Sequence, residues 1–215
     1  HFELCDNQGL PLVSSLESIS RECQSMGDLE GSLAARLQIL HYIDQNDPSR
    51  VSHILQSADL YLSLEMIEEA AKSYTSVLIL DCSDSDRLSA RAGLAFTVYQ
   101  KGETREAIHL MEDLEMTSMD EKLRLRLIEF KSLAMMKEGT FDPNSLMKLL
   151  EETSHPATAA KLSLLLAQYF NSCGNLEGAL KMVKKSLGIS KRMEDFPLQA
   201  SSLILLSQIY ELNFD

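Results

Sequence analysis

The sequence predicts an all-α chain: an α-solenoid of about five helix-turn-helix repeats, closed by a final helix. Three observations predict it. The stretch GDLEGSL at Gly27–Leu33 returns as GNLEGAL at Gly174–Leu180, 147 residues on, changed only at Asp28/Asn175 and Ser32/Ala179. Equivalent turns fall between the two, at Glu65, Gly102 and Gly139, so that the steps are 38, 37, 37 and 35 residues. The prolines keep nearly the same period: Pro11 and Pro48 lie 37 apart, Pro48 and Pro156 lie 108 apart, and Pro197 follows after 41.

Composition agrees. Hydrophobic residues make up 45% of the 215, enough for a full core, and aromatics only 6% with no Trp, so the core is mainly aliphatic. Leu, Ser, Ala, Met and Glu are common while Val and Thr are sparse, which favours helix over sheet. The net charge of −12 does not fit a basic nucleic-acid surface. It keeps a protein soluble and would also favour a basic partner.

Each repeat reads as two helices joined by a tight turn. Gly ends the first helix, where a positive φ costs an L-residue more than it costs Gly. Asp47-Pro48 reads as a cap and first helical residue, the capping side chains of CSDSDRLSA start the next unit, and Ser118-x-x-Glu121 reads as a capping box. Apolar spacing supports this: Leu16, Ile19 and Cys23 share a face before Gly27, and Leu33, Leu37 and Leu40 share one after it. A lone hairpin cannot bury such a face, so the units must stack. The expected repeats are 11–47, 48–84, 85–119, 120–155 and 156–196, with a final helix over 197–212, all in one array over 1–215. In the fourth unit Asp142-Pro143 stands where the second helix should begin, which predicts a shorter or displaced helix. Met-rich stretches there suggest an adaptable core, and with it a kink or a specialised surface.

The pattern resembles the tetratricopeptide repeat. ADLYLSLEMIEEAAKSYTSVLIL (58–80) is the best match, with Ala58, Tyr61, Ala70 and Tyr74 in that family's small and aromatic slots. AGLAFTVYQKGETREAIHLMEDL and LLLAQYFNSCGNLEGALKMVKKSL match well. The first unit is weaker, with Ser20 and Ser32 in the small slots, and the period of 35–38 exceeds the family's own. The resemblance covers almost the whole chain and implies a right-handed superhelix whose first helices line the concave side.

The sequence carries no constellation that calls for catalysis. G-x-S-x-G, H-E-x-x-H, P-loop and G-x-G-x-x-G patterns are absent. His41, His53, His109 and His155 are scattered, His155 reads as a helix-entry residue, and carboxylate pairs such as Glu68-Glu69 diverge around their helices. No CxxC pair occurs among Cys5, Cys23, Cys82 and Cys173, the last three of which read as small buried hydrophobes. No apolar run reaches the length of a membrane span. These features point to an intracellular protein, cytoplasmic or nuclear, that is not an enzyme and needs no cofactor or metal. His1 at the start and YELNFD at the end suggest a piece of a longer protein.

A binding role is the expected use. Family members that hold chaperone tails carry Lys and Asn in slots occupied here by Glu17, Arg21, Leu55, Asp59, Ala92 and Phe96, so a carboxylate-tail adaptor is disfavoured. The resemblance places Arg21, Gln24, Gln56, Asp59, Leu62, Ser63, Phe96, Tyr99, Gln100, Gln168 and Asn171 on the concave side. Amides and aromatics there suit an extended peptide or a partner helix, with Leu62 as a partly exposed apolar anchor. Phe96 and Tyr99 could equally pack between repeats. Lys181, Lys184, Lys185, Lys191 and Arg192 form a basic stretch on the expected convex side, either a solvated helix face or a contact for an acidic partner. The expected partner is another protein, with a basic one suiting the charge, and neither a small-molecule substrate nor nucleic acid. Self-association stays open. Two alternatives remain beside a concave-face scaffold: an architectural arm of a large complex, and a regulatory solenoid of an enzyme whose catalytic domain lies elsewhere.

Overall fold

The computed structural model describes residues 9–114 and 119–214. Eleven helices and no strands occur among the described residues. They form five hairpins and a final helix: α1 (Gly9–Ser25) with α2 (Leu29–Tyr42), α3 (Arg50–Ser63) with α4 (Ile67–Ile79), α5 (Asp84–Gln100) with α6 (Thr104–Glu112), α7 (Glu121–Glu138) with α8 (Pro143–Glu152), α9 (Pro156–Ser172) with α10 (Leu176–Arg192), then α11 (Phe196–Phe214). The chain divides into two compact units, 1–124 and 125–215, with the boundary inside α7.

The turn inside every hairpin is the same device. Gly27, Glu65, Gly102, Gly139 and Gly174 all have positive φ, between 59° and 89°. Each closes a paired hydrogen-bond pattern over the end of the first helix. At the first turn Asp28 N–H reaches Cys23 O at 2.8 Å and Gly27 N–H reaches Gln24 O at 3.1 Å. At the fifth, Asn175 N–H reaches Phe170 O and Gly174 N–H reaches Asn171 O. The pattern recurs once more between α10 and α11, where Glu194 has φ 57° and Asp195 N–H reaches Ser190 O.

The rest of the repeated heptapeptide now has a reason. Asp28 and Asn175 cap the following helices by accepting the N–H groups of Gly31 and Gly178. A Cβ on either of those glycines would run into the capping side chain. The first Gly of GDLEG therefore supplies the positive φ, and the second leaves room for the cap.

Helix starts follow the sequence with three adjustments. Asp47 does not cap a helix beginning at Pro48. Its carboxylate takes the Ser49 N–H at 2.8 Å and the Ser49 hydroxyl at 2.6 Å in a preceding turn, and α3 begins at Arg50. Those two bonds hold the Asp47 carboxyl below its usual pKa. Ser118 of the expected capping box lies outside the described residues, as does Cys5, and the N–H of Leu123 is instead taken by Asp120. The second helices of the other hairpins begin two residues after their left-handed residue, whereas α8 begins four after Gly139, with Asp142 capping Asn144 ahead of Pro143. Neither α7 nor α8 is broken, so the irregularity sits in the turn rather than in a kink. Of the cysteines read as buried, Cys23 and Cys82 are half-buried and Cys173 is exposed. Cys173 directly follows α9, at the exposed turn into α10.

In unit 1, consecutive helices from α1 to α6 pack on one another, and α3 also meets α5. Ala58, Ala70, Tyr74, Val77, Ala90 and Phe96 are among its fully or nearly fully buried residues. Gly93 lets α5 approach α4: a Cβ there would overlap the Tyr74 ring. In unit 2, Phe141, Leu146 and Leu150 cluster with Leu162, Leu165 and Leu166, and Ala160, Leu164 and Ala167 cluster with Ala179, Val183 and the α11 residues Leu198, Leu205 and Ile209.

Unit 1 also contains a polar core that sequence reasoning missed. Ser20 and Ser32 share a buried hydrogen bond of 2.8 Å. Arg36, itself buried, donates to Ser20 at 3.0 Å and to His53 Nδ1 at 3.1 Å. Arg has no acceptor, so Nδ1 must offer its lone pair, and the ring proton sits on Nε2, 3.5 Å from Glu17. Burial and the Arg36 charge both push the His53 pKa down, while Glu17 and Asp47 oppose them.

Two predictions follow from these contacts. Glu65→Gly relieves a left-handed L-residue and should raise the unfolding free energy by about 1 kcal/mol in urea denaturation. A loss of stability would mean that the Glu65 side chain contributes more than its backbone costs. His53 has a folded pKa below its unfolded value of about 6.5, so its contribution is present above that pH and is lost as pH falls through the folded value. Stability measured stepwise from pH 7.5 to 5.5 should decline more steeply in the parent than in His53→Gln, and identical slopes would refute the assignment.

Candidate functional site: the faces of the first helices

The eleven sequence-predicted residues all lie on first helices: α1, α3, α5 and α9. They do not all offer a surface. Leu62 is 2% exposed and Phe96 0%. The expectation that Leu62 is a partly exposed apolar anchor is corrected on this ground. α3 packs against α2, α4 and α5, and α5 against α3, α4 and α6, so an interior first helix keeps its apolar residues covered on several sides. Phe96 takes the other role foreseen for it, as packing.

Asp59 is engaged as well. Its carboxylate accepts the Tyr74 hydroxyl at 2.6 Å, tying α4 to α3. Arg21, Gln24, Ser63 and Gln100 are exposed, and Gln56 and Tyr99 are half-buried, with burial raising the Tyr99 pKa. Several of these are satisfied within their own helices: Arg21 donates to Ser18 and to Glu17 O, Gln56 to Ser52, and Ser63 to Asp59 O. The hollow beside Arg21 is an open ledge of α1 alone, lined by Ser18, Arg21, Glu22 and Ser25.

Unit 2 holds a better-formed site. A groove of about 220 Å³ runs between the first helices α7, α9 and α11. Leu164, Leu165, Pro197 and Leu198 give it apolar surface. Glu129, Lys161, Gln168, Asp195 and Ser201 give it polar surface, with Lys161 and Glu129 paired at 3.4 Å and both partly exposed. Of these nine residues only Gln168 is a site residue expected from the sequence. A usable signal existed: Lys161 and Gln168 are two helical turns apart, and Ser201 is Lys161 displaced by one repeat. The carbonyl oxygens of Gln168 and its neighbour Asn171 are buried and have no hydrogen-bond donor within the structure. A buried acceptor left in that state costs about 1–3 kcal/mol.

Among the described residues, no group of three or more His, Cys, Asp or Glu side chains could hold a metal ion. No helix among them is long and apolar enough to cross a membrane. The basic residues Lys181, Lys184, Lys185, Lys191 and Arg192 are all exposed on α10.

Comparison with known proteins bears on the fold. No protein-family model matches the chain, and no curated protein does. Solved structures do match. A putative kinesin light chain from Podosopora anserina with nearly identical TPR-like repeats superposes with a TM-score of 0.58 at 18% identity, over 85% of this chain and 96% of that one. A tetratricopeptide repeat protein from Parabacteroides merdae gives 0.53 at 15% identity, over 92% and 74%. The protein MamA gives 0.51 at 18% identity, over 82% and 97%. The chain is thus an all-α protein with the tetratricopeptide-repeat fold.

The Asp59–Tyr74 bond yields a check on the site. Tyr74→Phe should lower stability by about 1–2 kcal/mol in chemical denaturation without altering helical content. No loss would return Asp59 to the pool of residues available to a partner.

Proposed function

We propose that the chain is a non-enzymatic protein-interaction scaffold that holds a peptide segment or helix of a partner along its first helices. One observation carries this reading: the α7–α9–α11 groove combines apolar surface, an acid–base pair and the Gln168 carbonyl, buried without a donor. An extended backbone supplies N–H donors at regular spacing, and apolar side chains can displace water from Leu164, Leu165 and Leu198. A basic side chain near Asp195 and Glu129 would suit the acidic balance of the chain. In unit 1, Arg21, Gln24, Gln56, Ser63, Tyr99 and Gln100 form a candidate surface of their own, and in unit 2 Asn171 adds a second acceptor beside Gln168.

The architectural alternative has an observation of its own: the outer face of α11 is apolar and exposed. The regulatory alternative has none.

Peptides selected from a random display library against the intact chain test the scaffold reading. Binding should weaken at least tenfold in Lys161→Glu/Gln168→Ala, with helical signal and melting temperature retained. If no peptide is selected, or if that variant binds as the parent does, the groove is not the site.

A further inference from the structure

The basic stretch of α10 has no part in the groove. Five of the chain's 20 Lys and Arg residues fall within 181–192, which contains no Asp or Glu. Lys181, Lys184, Lys185, Lys191 and Arg192 stand at helical spacings with Gly188 between them, so they line one face. Ala179, Val183, Ser186 and Ser190 turn the other way and are buried. Among the described residues none of the five cations takes part in an ion pair. Attraction to the helix dipole accounts for Lys191 and Arg192 in the last turn, but it fades within that turn and leaves the other three unexplained. Lys181 is a helix-surface neighbour of both Lys184 and Lys185, and like charges so placed oppose the helix. Exposure of this face belongs to second helices in general. First helices pack on the next first helix, as α3 does on α5 and α9 on α11, whereas neither α2 and α4 nor α8 and α10 form such a packed pair.

Gly188 is a second, independent observation. Gly31 and Gly178 leave room for caps and Gly93 for Tyr74, whereas a Cβ on Gly188 would meet nothing within 4 Å, and its φ is not positive. A glycine inside a helix weakens it relative to Ala, so neither the backbone nor the packing of this chain accounts for Gly188. Its neighbours on the helix surface, three and four residues away on either side, are Lys184, Lys185, Lys191 and Arg192. Arg192 folds back toward it, its Nε–H donating to the Gly188 carbonyl at 3.3 Å. The result is a bare, exposed patch of helix backbone ringed by four cations.

We propose that this stripe of α10 binds a short acidic segment of a partner protein, an extended run of Asp and Glu, with Gly188 at the point of closest approach. Charge and length decide the occupant. The stripe rises about 16 Å along the helix axis, the span of about five residues of extended chain. Glu177 precedes it, Glu194 and Asp195 follow it, and the chain as a whole carries −12, so the attraction is confined to a segment of that length. A nucleic-acid strand carries its charge onward and meets acidic residues at both ends. At Gly188 no side chain holds the segment off the helix, so its carboxylates come within reach of Lys184, Lys185, Lys191 and the planar fork of Arg192 together. The inference goes beyond the groove reading, because the two surfaces share no residue.

The probe is a labelled peptide of alternating Asp and Glu, about five residues long to match the stripe. It is titrated with the intact chain at low ionic strength and followed by fluorescence anisotropy. Saturable binding is expected, weakened by added salt and at least tenfold by Lys184→Glu/Lys185→Glu. Gly188→Gln is the decisive variant. It keeps every charge, and Gln favours helix over Gly, so the melting temperature should hold or rise while binding falls several-fold. Lys161→Glu/Gln168→Ala removes positive charge at the groove and should leave binding unchanged, so failure of this proposal and failure of the groove reading are told apart. Absence of saturable binding, or binding indifferent to Gly188→Gln, overturns the proposal and leaves the stripe as a solvated face. A labelled single-stranded oligonucleotide supplies the remaining outcome: tighter binding of it than of the peptide would overturn the proposal in favour of nucleic acid.

Discussion

A single backbone constraint organises the molecule: the chain must reverse within about three residues at the end of each first helix, and a residue in the left-handed region makes that possible. Among the described residues, the six positions with positive φ all occupy helix-to-helix turns. At each, two N–H groups fold back onto carbonyls that the ending helix leaves open. Four are Gly, and two are Glu, which accepts the strain because the surrounding turn is otherwise identical. Most junctions from a second helix to the next first helix are built differently. Ile43, Leu80 and Thr153 leave α2, α4 and α8 with extended ψ, and the following helix is started by a turn, a Ser or a Pro. Left-handed and extended exits thus alternate along much of the chain. The α10–α11 junction breaks the alternation by using the left-handed turn.

That distinction explains what the sequence could reveal. Gly and Pro act on the backbone directly, so their spacing discloses turns and helix starts without knowledge of packing. The helix pairing, the displaced α8 and the extent of α11 were legible for this reason. Burial on the first helices was not. Leu62 and Asp59 both sit on α3 near its exposed residue Ser63, yet one is enclosed and the other is held by Tyr74. Helical periodicity gives the direction of a side chain but not the number of neighbours that cover it. The Arg36–His53 contact was illegible for a related reason, since it spans two hairpins and no local pattern announces it.

The hairpins solve the same packing problem with different chemistry. In the first hairpin, serines occupy the small positions and would be costly if unpaired, so Ser20 and Ser32 bond to each other and Ser20 also accepts from Arg36. Further along unit 1, Ala58 and Ala70 do the same job without polar atoms, and so do Ala167 and Ala179 in unit 2. A satisfied polar core ties a hairpin to one arrangement, because a shift of one turn would orphan Arg36 and His53 together. The α3–α4 hairpin is held instead by the single Asp59–Tyr74 bond and by shape, with Gly93 of α5 beneath Tyr74.

α11 brings these considerations to bear on binding. It presents three faces. One is spent on α10, one completes the groove with α7 and α9, and one meets solvent with Leu203 and Ile204. A first helix with both flanks occupied hides its apolar residues, as α3 and α5 do. Ala200, Ile204, Ser207 and Tyr210 keep, 40 residues on, the pattern of Ala160, Leu164, Ala167 and Phe170 on α9. Apolar surface of that kind contributes roughly 25 cal/mol for each Å² removed from water.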